Sequence, residues 1–346
     1  MLRTGTYSEF LEACVEITVS NINILNVPAD LIVLKYADQF YGADKAVANA
    51  IGFTSSISAG DFVFCEGKGV VAARTVLFIG VGPLRDFRYE RIQDFGSKAI
   101  KLARQHQSGV RDLALTIHGP GYGLDTEQSF LSMVAGIVAE WRHSEQTLHR
   151  ITIAERSEKR CDLLNAILHE HLREFGLQRS DQSATVNVAI ATPSVSPTAE
   201  TKSNIVQFGI RAEEKPRLFV AMPFAADFID EFEIGFNEAA KASAFICERL
   251  DLESFTGDIV AEIRGRILGS HGVIALLNSY NPNVFLEIGF AWAHSKPTIL
   301  VAKEDVKLPF DVSAHRCIRY KNIAQLRELL TNEIARLKAQ GVLARA

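Results

Sequence analysis

The stretch from Gly272 to Ala302 admits few folds. Gly272 to Leu277 is a short apolar run with β-branched residues, Asn281-Pro282-Asn283 is turn chemistry, helical periodicity follows, and Pro297 to Ala302 is apolar again. Apolar runs this short, bounded by turn signals and separated by a helix-length segment, read as strand, turn, helix, strand. That is one unit of an α/β sheet. On a helical wheel Val284, Phe285, Ile288, Ala291 and Trp292 share a face, and Glu287 lies about 60° off its edge at ~100° per residue. A carboxylate is thus aimed beside the core, close to a helix start, where the macrodipole favours the ionised form. The alternative, a capping-box glutamate, requires Glu three residues after the cap, and Glu287 misses that slot from either Asn281 or Asn283.

The rest of the chain repeats the pattern. In the first half, strand signals at 17–24, 31–34, 61–66, 75–82, 112–118 and 150–154 alternate with helical stretches at 43–51, 89–107, 126–142 and 158–175. This predicts an α/β sandwich with helices on both sheet faces. Gly119, Gly121 and Gly123, with Pro120 and Tyr122 between them, follow a strand end. Such a loop either lets the backbone approach a diphosphate before a helix or is simply a tight turn. Residues 183–215 are rich in Ser, Thr and Pro and read as a linker, with an edge strand allowed at Val186 to Ala191. In the second half, strands at 218–222, 245–250, 272–277, 297–302 and 316–320 alternate with helices at 230–244, 258–270, the segment after Asn283, and 323–339. Asp251 directly follows a strand, where open α/β sheets bind ligands. The expected domains are 1–182 and 216–346.

At 346 residues the chain is long enough for two cores. A net charge of −4 without any Lys/Arg-rich run argues against general nucleic-acid binding, leaving small molecules or protein as partners. Five scattered cysteines form no disulfide framework or zinc pattern, and no run approaches the roughly 18 apolar residues of a membrane span. The expectation is a cytoplasmic protein without a membrane segment, metal or bound cofactor. No Ser-His-Asp order or Walker loop points to another chemistry.

Leu218-Phe219-Val220-Ala221-Met222-Pro223-Phe224, then Asn281-Pro282-Asn283-Val284 with Glu287, then Lys296-Pro297, resemble the nucleoside 2-deoxyribosyltransferase and bacterial TIR-like superfamily. The resemblance covers residues 216–346 and implies a flavodoxin-like parallel sheet with helices on both faces. It also implies that the glutamate attacks, or stabilises charge at, the anomeric carbon of an N-glycosidic bond. By motif position that residue is Glu287. The expected substrate contacts are Met222, Asn283, Asp251 after its strand, and Phe224 as an apolar wall at the first strand's end. Asn278 stands where relatives often carry an acidic residue.

Pro28-Ala29-Asp30-Leu31-Ile32-Val33, the strand ending in Gly80-Val81-Gly82, and Gly119-Pro120-Gly121-Tyr122-Gly123 resemble a macro domain of the type found at the amino end of leucyl aminopeptidases. That resemblance implies an ADP-ribose-like ligand, with Asp30 near the adenine and Gly119, Gly121, Tyr122 and Gly123 around the diphosphate. The aminopeptidase catalytic half has no counterpart here, so peptidase activity is not implied.

Together the two resemblances imply cleavage of a nucleotide or nucleoside, NAD being a candidate substrate. A nucleotide-derived activator would act through the first domain, in a homo-oligomer of the kind used in antiphage defence. The competing expectation is a non-catalytic nucleotide receptor that signals by assembly. A third is an aminopeptidase-related scaffold with no nucleotide affinity.

Overall fold

A computed structural model of the chain describes residues 15–106, 109–143, 148–180, 187–189, 199–223, 226–250 and 259–343. By its internal contacts the chain divides into two units. One comprises residues 1–118 and 130–209, the other residues 119–129 and 210–346.

The first unit is built on β1 (Glu16–Asn21), β2 (Leu31–Tyr36), β3 (Phe62–Glu66), β4 (Thr75–Gly80), β5 (Asp112–Thr116), β6 (Arg150–Glu155), β7 (Gln178–Ser180) and β8 (Asn187–Ala189). They form one sheet in the order β3-β4-β2-β5-β6-β1-β8-β7. The five central strands run parallel, and antiparallel β3 and β8-β7 close the two edges. β2 is buried along its whole length, as a central parallel strand must be. Its helices are α1 (Gly42–Ile51), α2 (Tyr89–His106), α3 (Thr126–Arg142), which begins in the other unit, α4 (Glu158–Glu170) and α5 (Ala199–Glu214). Ile32 and Leu34 of β2, Phe78 of β4, and Val47, Ala48 and Ile51 of α1 make one core. α1 stops where its sequence says, at Gly52 with φ 69°. α2 and α3 meet backbone to backbone: a Cβ at Gly96 would overlap the carbonyl of Met133, and one at Gly136 that of Gln93.

One expectation is corrected here. Within the supposed linker 183–215, strand β8 falls where an edge strand was allowed, but the sixteen-residue helix α5 was not expected. The Ser/Thr/Pro-rich stretch is followed by residues with helical spacing, and Phe208 stacks on Phe175 with ring centroids 5.1 Å apart. Burial outweighed local composition.

The second unit carries β9 (Arg217–Ala221), β10 (Ile246–Glu248), β11 (Gly272–Leu276), β12 (Thr298–Lys303) and β13 (Cys317–Tyr320). All pairs are parallel, in the order β10-β9-β11-β12-β13. Counted within the unit, this is 2-1-3-4-5. Alternate residues of β9 feed two cores. Leu218 and Val220 pack with Phe236 and with Leu326, Leu330 and Ile334 of α10 (Ile323–Ala339). Phe219 and Ala221 pack with Ile267 of α7 (Ile259–Gly269) and with Val284, Ile288 and Ala291 of α8 (Pro282–Ala293). Each face of the sheet is therefore covered by helices. The remaining helices are α6 (Asn237–Ala242) and the short α9 (Phe310–Ser313).

The helix expected at 230–244 is not uniform. Glu231–Phe236 is a π-helix, and Asn237 N–H bonds to the carbonyl of Phe232, five residues back, before α6 resumes ordinary pitch. The predicted apolar face survives, because Phe232, Phe236, Ala239 and Ala240 are all buried. Among the described residues no helix is long and apolar enough to cross a membrane.

Candidate active site

β11 leads into α8 through Asn281, whose side chain caps the helix by accepting from Asn283 N at 2.9 Å, with Pro282 at the first helical position. Proline there fixes φ and sacrifices an N–H that has no intrahelical partner anyway. A helix that follows a parallel strand runs back along the sheet, so its first turns lie at the carboxyl edge of the strands. The same holds for the first turns of α7, which leads into β11. Between these two helix starts is a groove of about 100 Å³. Ile259, Val260, Ile263, Arg264 and Ile267 of α7 line it on one side, and Asn283, Leu286, Glu287 and Phe290 of α8 on the other.

Glu287 is 5 % exposed. Among the described residues its carboxyl has no hydrogen-bond or ion-pair partner. Burial alone pushes its pKa from the ordinary 4.5 up to about 8. A capping glutamate would be held by backbone N–H groups, and this one is not. The groove therefore presents a desolvated carboxyl flanked by apolar walls, with the Asn283 amide beside it. Such a surface is complementary to a flat, electron-poor or cationic ring.

Of the sequence-predicted contacts, the structure brings Asn283 to Glu287. Phe224 and Asp251 lie outside the described residues. Met222 is not brought there: it is buried in the core of the opposite sheet face, and its sulfur accepts from Arg249 Nη1 at 3.7 Å. Side chains alternate along an extended strand, so a residue two after Val220 joins that residue's face. Asn278 is taken up in a structural network. Its Nδ2 donates to Tyr320 Oη at 2.5 Å, its Oδ1 accepts from Lys303 N at 2.8 Å, and Tyr320 Oη donates to Glu231 at 3.1 Å. Burial, with Glu231 adding to it, raises the Tyr320 hydroxyl well above the usual tyrosine range.

The residues expected around the first-half ligand fall in different units, Asp30 in the first and residues 119–123 in the second. Asp30 stands at the amino end of β2, and its carboxylate accepts from the amides of Arg111 (2.9 Å) and Asp112 (3.1 Å) at the start of β5. Those bonds, the Arg111 amide foremost, lower its pKa. Residues 119–123 follow the other, carboxyl end of β5. Asp30 thus ties strand starts together. In the loop itself Gly119 (φ 114°) and Gly123 (φ 86°) hold conformations that suit glycine. The close approach at Gly123 is to protein, because a Cβ there would overlap the carbonyl of Arg249. Tyr122 is buried, and Gly121 lies inside the single 3-10 turn Pro120–Tyr122.

A buried ionic cluster in the first unit had no signal in the local sequence pattern. Lys35 of β2 is 3 % exposed and pairs with Asp44 of α1. Asp44 is raised by burial, against the opposing pull of Lys35. His118, just past β5, is held well below the usual histidine range, first by burial and then by Lys35, and its Nε2 is buried without a hydrogen bond. Its ring packs edge-on against Phe95 at 4.5 Å.

No protein-family model matches the chain, and no curated protein does. Similar solved structures include an Oceanobacillus iheyensis macrodomain with ADP, at 14 % identity and TM-score 0.39 over 47 % of this chain and 98 % of that one. A Trypanosoma brucei macrodomain in complex with ADP-ribose is 18 % identical at TM-score 0.37, over 43 % of this chain and 67 % of that one. The same macrodomain in complex with ADP is 16 % identical at TM-score 0.38, over 44 % and 68 %. These likenesses assign no residue of this chain a role.

Proposed function

We propose that the second unit cleaves an N-glycosidic bond of a nicotinamide nucleotide or nucleoside, with the Glu287 carboxylate facing the anomeric carbon. The 2-1-3-4-5 strand order is the flavodoxin-like one, in which ligands bind at the carboxyl edge of the sheet. The observation that carries the reading is a buried carboxyl, without a partner among the described residues, in an apolar groove between α7 and α8. As the C–N bond breaks, the base leaves with the bonding electrons and the sugar becomes oxocarbenium-like. A carboxylate stabilises that cation or bonds to it. Water then completes hydrolysis, or a second base completes transfer. The raised pKa suits a substrate whose base is a pyridinium while bonded to the sugar and leaves as neutral nicotinamide. A nearby cation favours the ionised carboxylate, so a bound nicotinamide ring displaces the Glu287 proton and primes the nucleophile.

An ADP-ribose-like ligand is assigned to the first half of the chain on the strength of the quoted motifs. Such a ligand activates only if it binds the active arrangement more tightly than the inactive one. Sensor and effector on one chain, acting in a homo-oligomer, suit a defence role.

A second reading is a non-catalytic nucleotide receptor. It is favoured by Asn278, which is committed to Tyr320 and Lys303 where an acidic ribose contact is expected.

The test is release of nicotinamide from NAD by the full chain, with and without a panel of ADP-ribose derivatives, beside Glu287→Gln. The variant is close to isosteric and should lose turnover by a factor of ~100 or more while keeping its fold. Wild-type rates in Glu287→Gln would remove Glu287 from the mechanism. Silence of the wild type across the panel would favour the receptor.

A further inference from the structure

The groove holds a second charged group that the reaction scheme has not used. Arg264 lies on α7 one residue after Ile263 and three before Ile267, at the margin of the apolar stripe that faces α8. Its guanidinium sits 5.4 Å from the centroid of the Phe290 ring. Phe290 is one helical turn after Glu287, so the cation is held on the wall that carries the carboxyl. An arginine laid on an aromatic face keeps its N–H edge open while its plane is supported.

The groove thus has two chemically distinct ends. Arg264 has no carboxylate partner among the described residues, whereas neighbouring Arg266 is engaged by Glu262 at 3.0 Å and reaches toward Glu248. Nor does Arg264 neutralise Glu287, because burial is the sole cause of the raised carboxyl. Arg264 is exposed on the groove lining and is available to an anion from outside. The rim beside it is apolar, with Val260 and Leu286 exposed.

We infer that Arg264 reads the 5′-phosphate of the substrate, so that the groove selects phosphate-bearing nicotinamide nucleotides over the corresponding nucleoside. The inference rests on the N-glycosidase reading and narrows it. The ring end meets Glu287 and the apolar walls. The phosphate end, separated from the ring by one ribose, meets the guanidinium on Phe290. Planar guanidinium binds phosphate through two parallel N–H donors, which a lysine ammonium cannot reproduce.

The test compares nicotinamide mononucleotide with nicotinamide riboside, which differ by one phosphate. kcat/KM for each is measured on wild type, Arg264→Gln and Arg264→Lys, full length. In wild type the mononucleotide should be preferred. Arg264→Gln should reduce the ratio of the two kcat/KM values roughly tenfold, and Arg264→Lys should restore part of it. An unchanged ratio in Arg264→Gln overturns the assignment. Binding of the mononucleotide is measured in parallel by calorimetry on Glu287→Gln and on Glu287→Gln with Arg264→Gln, where no turnover is needed. Weaker binding in the double variant upholds the phosphate contact even if the wild type cuts neither substrate. That pattern would sink the N-glycosidase reading alone. Equal affinities, or no binding to either variant, sink the role of Arg264.

Discussion

Replacing Glu287 by glutamine should stabilise the second unit, and by an amount that grows with pH. The carboxyl is held at about 8 by burial, against an ordinary 4.5. The sign is the reverse of that for a salt-bridged carboxylate. Below about pH 4.5 the group is protonated in both folded and unfolded chains and costs nothing. Between 4.5 and 8 the unfolded chain has released its proton and the folded one has not, so rising pH favours unfolding. Each pH unit in that window costs up to 1.36 kcal/mol. At pH 7 the penalty reaches about 3 kcal/mol as an upper bound, and above pH 8 it levels off.

Glutamine keeps the shape and removes the titration. Scanning calorimetry of both proteins at pH 5 and pH 8 is the assay, since a two-unit chain need not melt in one transition. At roughly 2–4 °C per kcal/mol, a difference of about 3.5 kcal/mol should make the variant's advantage ~7–14 °C larger at pH 8 than at pH 5. An advantage independent of pH would show that Glu287 ionises normally and is not desolvated. The same titration governs turnover. Wild-type activity should climb with pH to about 8, because only the carboxylate form supports the oxocarbenium ion, whereas added cationic substrate should shift that limb downward.

Two further outcomes concern the first unit. Asp44→Ala strips the buried Lys35 ammonium of its carboxylate and should cost ~3–5 kcal/mol in urea unfolding, with Lys35→Met in the same chain as Asp44→Leu recovering most of it. Asp30→Ala removes the acceptor of two backbone amides and should cost ~1–2 kcal/mol near neutral pH. That cost should shrink as pH falls below about 4, because the lowered carboxylate stabilises only above its unfolded value. Calorimetry with ADP-ribose should find its affinity within about twofold of wild type. A large loss of affinity would return Asp30 to the ligand site, and absence of binding to the wild type would remove the ligand.

Much of the second unit was legible because local and long-range demands agree. α10 begins and ends where the sequence puts it, since Asn322 caps it through Gln325 N at 2.9 Å and Leu326, Leu330 and Ile334 repeat at helical spacing. The NPN turn, its helix and its flanking strands were equally readable, and Glu287 stood out because it missed the capping slot. Arg264 did not stand out. An arginine at the margin of an apolar stripe reads as a solvated residue until the facing helix, and Phe290 on it, are known. Asp30 illustrates the opposite failure. Its motif names a residue type and a strand, but the carboxylate's use depends on which amides of β5 lie beside it, and strand pairing is not written locally. α5 was hidden by its Ser/Thr/Pro-rich preamble, although Phe208 carried the helical signal.

The π-helix Glu231–Phe236 has an evolutionary consequence. Such a turn arises when one residue is inserted into an α-helix and the flanking turns keep their phase. Here the irregular turn delivers the carboxylate of Glu231, 2 % exposed, to the hydroxyl of Tyr320 and the ammonium of Lys303. Removing one residue from the segment would close the wide turn to ordinary α pitch and re-aim the side chains within it. Glu231 would swing away and the hydroxyl of Tyr320 would lose its acceptor inside the core. Segment length and the chemistry of position 320 are therefore bound to change together. With a regular helix here phenylalanine would serve at 320, and Asn278 would keep only its bond from Lys303 N.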